Sequence, residues 1–164
     1  MNPLVTPGEA TGQARTNLWP ADAPVCGVRR LLGVALGVSV NSANTDFVMA
    51  LPWVLQSANF IITDFWVNNP QVNNGGTITN SMTTATLGAF TAAAGGGTAI
   101  VSNAALSGLT ALTGAGGHLA MTVAATTFMY TQSANSSIYV RTGTAQGAST
   151  SATVDVYVMG LVLT

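Results

Sequence analysis

The sequence predicts an all-β protein: an antiparallel β-sandwich over residues 27–164, reached through an extended N-terminal arm of residues 1–26. Three observations carry that prediction. Apolar residues alternate with small or polar ones in several stretches, which is the period of a strand. Clusters of Gly, Asn, Ser and Thr separate those stretches and read as turns. Charged residues make up 5% of the chain and hydrophobic ones 48%. That balance is the reverse of disorder and far below the roughly one quarter charged residues of an ordinary soluble domain. At 164 residues the chain suffices for one core.

The arm holds Pro3, Pro7, Pro20 and Pro24 among small and polar residues. Its apolar residues Leu4, Val5, Leu18 and Trp19 must lie on this domain or reach a neighbour. After Arg29 and Arg30, the alternation predicts a strand with Leu32, Val34, Leu36, Val38 and Val40 on one face and Gly33, Ala35, Gly37 and Ser39 on the other. Asn41 to Asp46 is a turn cluster, and Phe47 to Leu51 is a strand that Pro52 interrupts.

Asn59 to Asn68 predicts a second strong strand. Ile61, Thr63, Phe65 and Val67 share one face, and Ile62, Asp64 and Trp66 share the other, so both faces are expected to be covered. Asn68 to Ser81 reads as a loop by composition, Thr83 to Ala93 as a strand, and Thr98 to Val101 as a short one. Ser102 to Gly117 leaves a helical turn and an irregular segment both open, because Leu106, Leu109 and Leu112 recur every third residue among glycines. His118 to Thr131 shifts phase part-way, as one bulged strand or two strands would.

The closing segment, residues 136–164, predicts an antiparallel pair in which Arg141 faces Asp155, Val140 faces Val156, Tyr139 faces Tyr157 and Ile138 faces Val158. Tyrosines and the ion pair would then line the outer face and the branched aliphatics the core.

Several functions lack their chemistry. A net charge of −1 with four arginines and no lysine offers no basic stripe, so nucleic acid is not an expected partner. Leu31 to Val40 is too short to span a bilayer, no membrane partner is expected, and the N-terminus shows neither a basic start nor an apolar run of the kind a secretory signal needs. Cys26 is the sole cysteine and reads as a structural thiol, and one histidine cannot build a zinc site. Glu9 and Asp22 belong to the arm, Asp46 to a turn, Asp155 to the ion pair, and Asp64 to an outer face, so no pair of carboxylates flanks a cleft. His118 lacks a G-x-S-x-G elbow, and the glycine runs lack the Lys-Ser or Lys-Thr of a phosphate loop. No enzyme activity, metal or cofactor is expected.

Strand edges without lysine invite pairing, so contacts with other subunits are expected, made by apolar and uncharged groups and little weakened by salt. The candidate interface residues are Leu18, Trp19, Arg29, Arg30, Trp66, Tyr139 and Tyr157. For Arg29 and Arg30 the plainer reading is a solvated pair of charges at the rim of the sheet. A carbohydrate-binding sandwich is the alternative from another class, with Trp53, Trp66, Tyr130 and Tyr139 as stacking rings.

The runs GVALGVSVNSANTDFVMALP, FIITDFWVNNP, TTATLGAFTAAAGGGTAIVSNAALSGLTAL and IYVRTGTAQGASTSATVDVYVMGLVL resemble small structural proteins of tailed-bacteriophage virions, over about residues 30–163. The resemblance implies a jelly-roll-like form of the sandwich, a homotrimer, and a place on the outer capsid surface as a decoration or cement protein that binds the major capsid protein. A tail, neck or fibre-base component is the other station it allows.

Overall fold

The computed structural model describes residues 29–51, 59–79, 81–109, 118–124, 129–131, 137–147 and 149–163. The expected arm, with Leu18 and Trp19, lies outside them. The all-β expectation holds: the described residues form ten strands and one short 3-10 turn at Ala93–Gly95. The strands are β1 (Arg29–Ser39), β2 (Thr45–Ala50), β3 (Asn59–Asn74), β4 (Thr77–Thr79), β5 (Thr86–Phe90), β6 (Ala99–Ala105), β7 (His118–Met121), β8 (Met129–Thr131), β9 (Ser137–Thr142) and β10 (Ser151–Leu163).

They make two antiparallel sheets. One has four strands in the order β2-β9-β5-β6. The other has six: β1, β10 and β3 lie side by side, and β4, β7 and β8 share the far edge of β3. Inward-facing residues of both sheets, among them Phe60, Phe65, Ile62, Leu32, Leu87 and Ile100, merge into one core. Each such side chain contributes roughly 1.5–3 kcal/mol when fully buried.

The β10 strand is central, and its alternation is unbroken: Val154, Val156 and Val158 are buried, while Asp155, Tyr157 and Met159 face outward. Its two neighbours carry bulges. Against β10, the β1 register slips at Leu32 and again at Leu36–Gly37, and the β3 register slips at Thr63 and again at Asn69–Pro70. Each extra residue flips the faces that follow. The two-faced patterns expected for β1 and β3 are therefore corrected: Leu32, Ala35 and Val38 point inward while Leu31, Val34 and Leu36 point out, and Phe60 and Ile62 share the core with Phe65 and Val67.

Asn68 to Ser81 is not a loop throughout. The β3 strand continues to Asn74, because a bulge accepts Pro70, which has no N–H to give to a ladder. A two-residue turn follows, with Gly75 at φ 61° and Gly76 at φ 98°. Positive φ at both positions is the primed hairpin turn that matches strand twist, and it brings Asn74 opposite Thr77 on β4.

The closing hairpin is also corrected. The β9 strand pairs with β2 and β5, and β10 with β1 and β3, so the two lie in different sheets. Arg141 stands opposite Asp46, and Tyr139 opposite Val48. Alternation sets which face a side chain takes, and Ile138, Val140, Val156 and Val158 are all buried as the pattern requires. It carries no information on the partner strand. The connection through residues 143–150 is long enough to cross from one sheet to the other.

Candidate interaction surface

Three carboxylates lie among the described residues, and each is held by the fold. Asp155, on β10, accepts the backbone N–H of Gly37 at one oxygen and the Asn69 side-chain amide at the other, both at 2.8 Å. Gly37 (φ 64°) and Asn69 (φ 50°) are the left-handed residues of the bulges on either side of β10. One carboxylate thus ties both bulges to the central strand.

Asp46 does the same at a loop. It accepts Arg141 Nη1 at 2.8 Å and the N–H of Ala94 at 2.6 Å, and Ala94 (φ 59°) is the left-handed non-glycine residue of the 3-10 turn. Arg141 Nη2 also donates to the Asn44 side-chain amide oxygen, Oδ1, at 3.0 Å. Asp64, on β3, pairs with Arg29 of β1 across the outer face of β10 and accepts the Thr63 hydroxyl at 2.7 Å. Arg29 is therefore half of an ion pair rather than a simple solvated charge.

Partial burial pushes the Asp46 carboxyl upward, but the Ala94 N–H and the Arg141 guanidinium outweigh it and hold it below the ordinary range. Burial likewise opposes, and the Thr63 hydroxyl and Arg29 together overcome, at Asp64. Groups whose folded pKa is depressed add stability that is complete above the unfolded value, about 3.9 for aspartate, and that drains away as pH falls through the lower folded value. The midpoint of urea unfolding is therefore expected to drop between pH 5 and pH 3. The drop should be shallower in Asp46→Asn, which has no such carboxylate to protonate.

The outer face of the six-stranded sheet is apolar. Leu36 is 64% exposed, Leu31 51%, Val34 40% and Trp66 39%. Tyr157 lies between Val34 and Trp66 in the register, and Met159 between Leu31 and Asp64. His118, the first residue of β7, is exposed and its ring tilts toward Trp66 with centroids 6.2 Å apart. On the far side of β1, no strand among the described residues continues the sheet.

Of the expected interface residues, Arg29, Trp66 and Tyr157 come together on this face; Arg30, on the same first strand, is half-buried and stands opposite the inward-facing Gly160. Tyr139 does not join them: it sits in the four-stranded sheet between Val48 and Phe90. Leu18 and Trp19 lie outside the described residues. Sequence reasoning missed Leu31, Val34 and Leu36 because the bulges that turn them outward were not anticipated. The signal was there in Gly37, which accepts a positive φ in the middle of a strand.

The stacking platform of a sugar site is not assembled from Trp66 and Tyr139, which lie in different sheets; Trp53 and the Tyr130 side chain are outside the described residues. A shallow hollow at the other end of the six-stranded sheet is lined by Gln71, Asn73, Ile78, Ser151 and Thr153, with no ring among them. Among the described residues no three of His, Cys, Asp and Glu gather as metal ligands would. No protein-family model matches the chain, and no curated protein or solved structure does so either.

Proposed function

We propose that this chain is a structural, non-enzymatic protein of a tailed-phage virion, a capsid decoration or cement protein that forms a homotrimer on the outer capsid surface and bridges major capsid subunits. The observation that carries the reading is the outer face of the six-stranded sheet, where large apolar side chains stand exposed beside charges that are already paired with one another. A face so built holds a partner through burial rather than steering.

The strand succession supports the jelly-roll form. In the orders β1-β10-β3 and β2-β9-β5-β6, strands from the beginning of the chain lie beside strands from its end, and six of the nine connections between described strands change sheet. Two interleaved Greek keys have this pattern, and viral capsid domains are among the proteins that use it. An interface of about 1,600 Å², mostly apolar, contributes on the order of 20 kcal/mol before association costs of about 4–15 kcal/mol are subtracted.

The purified chain is expected to sediment as a trimer and to bind expanded shells almost equally at low and high salt, since few charges are present to be screened. A monomer without affinity for shells would overturn the reading. Electron microscopy of particles labelled at the C-terminus distinguishes many evenly spread copies, as decoration requires, from the few copies of a neck or tail part.

A further inference from the structure

Two features of the six-stranded sheet call for a covering chain: the apolar outer face at Leu31, Val34, Leu36 and Trp66, and the edge of β1 that no described strand continues. We propose that both are covered by residues 1–28 of a second copy of this chain, passed from each subunit to the next around the ring. The proposal rests on the trimeric reading above and names the surfaces that close the trimer.

Length and position argue for this occupant. The described chain begins at Arg29, the first residue of β1, so 28 residues are tethered at one end of the open edge. Fully extended they reach up to about 90 Å, enough to cross a neighbouring subunit.

Composition argues for the neighbour rather than the same subunit. Pro20 and Pro24 have no N–H to give, so the residues just before β1 make a poor ladder strand for that edge. Proline-bearing spacers extend by about 3.1 Å per residue. The proline-free stretch from Gly8 to Trp19, with Leu18 and Trp19 at its end, is the better ladder strand, and the proline-bearing residues 20–28 separate it along the chain from its own β1. An added strand gains main-chain hydrogen bonds at an open edge and places alternate side chains against the adjoining face.

Symmetry gives a further argument. A ring of three closes through a heterologous contact, in which the donating surface differs from the receiving one. Pairing two β1 edges directly would be two-fold and would stop at a dimer. An arm that leaves one subunit and lands on the β1 side of the next fits a ring. Burial there also leaves no partnerless carboxylate, since Asp64 pairs with Arg29 and Asp155 holds the bulges.

The test uses full-length chains in a Cys26→Ser background. One chain carries Leu18→Cys and the other Leu36→Cys; co-expressed and oxidised, they should give a covalent dimer on a non-reducing gel that neither gives alone. With both substitutions on one chain, cross-linked dimers and trimers are expected, whereas a cross-linked species of monomer mass would place the arm on its own subunit and overturn the proposal. Leu36→Asp changes an exposed side chain and leaves the core intact, so it should fold with the wild-type circular dichroism spectrum yet sediment as a monomer. A trimer that survives Leu36→Asp and yields no cross-link refutes the arm exchange alone. A wild-type chain that is itself monomeric refutes the trimeric reading on which it rests.

Discussion

Gly160→Ala is expected to destabilise the protein by about 3 kcal/mol, the upper end of the usual overpacking range. Gly160 belongs to the inward row of β10, after Val154, Val156 and Val158 and before Val162. It is the one position in that row with no side chain, and the space is taken. A Cβ there would stand 2.2 Å from the Ile61 carbonyl oxygen and 2.4 Å from Leu32 Cδ1.

Both obstacles come from the bulges that flank this part of β10. Leu32 is the extra residue of β1, turned inward over the glycine, and Thr63 is the extra residue of β3, which sets the neighbouring Ile61 carbonyl against it. A flexible side chain could retreat, but a backbone carbonyl moves only with its strand, so the register of β3 must yield. For a chain of this size the loss corresponds to a fall in Tm of roughly 6–12 °C. Thermal and urea unfolding of Gly160→Ala beside Gly147→Ala provide the check. At Gly147 the new Cβ would meet only Thr84 Oγ1 at 3.5 Å, an ordinary contact, and stability should change little. An unchanged midpoint in Gly160→Ala would mean that Leu32 and the Ile61 carbonyl do not fill that gap.

The same bulges explain how much of the fold was legible in the sequence. In β10 and β9 no residue is inserted, and period two read from Ile138, Val140, Val154, Val156 and Val158 identified the core face correctly. In β1 and β3 the period is reset twice each, so a single alternating reading assigned Val34 and Leu36 to the face of Val38 when they point away from it. Local sequence held partial notice of this. Gly37 and Asn69 are residue types that tolerate positive φ, and Pro70 inside a strand implies an irregularity.

Partners were less legible than faces. The like-with-like pairs of the surrounding residues point Arg141 to Asp155, yet Asp46, some 95 residues away, takes the guanidinium. Which carboxylate wins depends on which sheet each strand joins, a choice made by the whole core. The candidate surface was half visible for the same reason. Trp66 and Tyr157 were recognisable as outward aromatics, while their aliphatic neighbours Val34 and Leu36 became part of the face only through the bulges.

Gln146→Ala is expected to cost about 2–4 kcal/mol, although this residue lies in a Gly-, Ser- and Thr-rich connection with no local sign of importance. Its side chain is buried, with the residue only 5% exposed. The amide oxygen accepts the N–H groups of Thr83, Thr84 and Ala85 at 3.0, 3.2 and 3.4 Å, and the amide nitrogen donates to the Thr83 hydroxyl at 2.8 Å. Its own backbone N–H donates to the Val40 carbonyl at 2.8 Å, and its carbonyl accepts the Ser149 hydroxyl at 3.1 Å. One residue therefore fastens the connection between β9 and β10 to the segment before β5 and to the end of β1.

Truncation removes a single acceptor that serves three donors. Thr83 and Thr84 are exposed and can turn to water, but Ala85 is fully buried and its N–H would have no replacement. A buried donor left alone costs about 1–3 kcal/mol, and the vacated volume adds to it. Two further variants separate these terms. Gln146→Leu restores most of the volume without an acceptor, so it should recover little of the loss. Gln146→Glu keeps an oxygen where the three N–H groups converge, an arrangement that favours an anion, and should recover most of it at pH 7. Urea midpoints rank the three, and hydrogen exchange at the Ala85 amide should accelerate in the Ala and Leu variants only. If Leu proved as stable as Glu, packing rather than the shared acceptor would hold the two connections together.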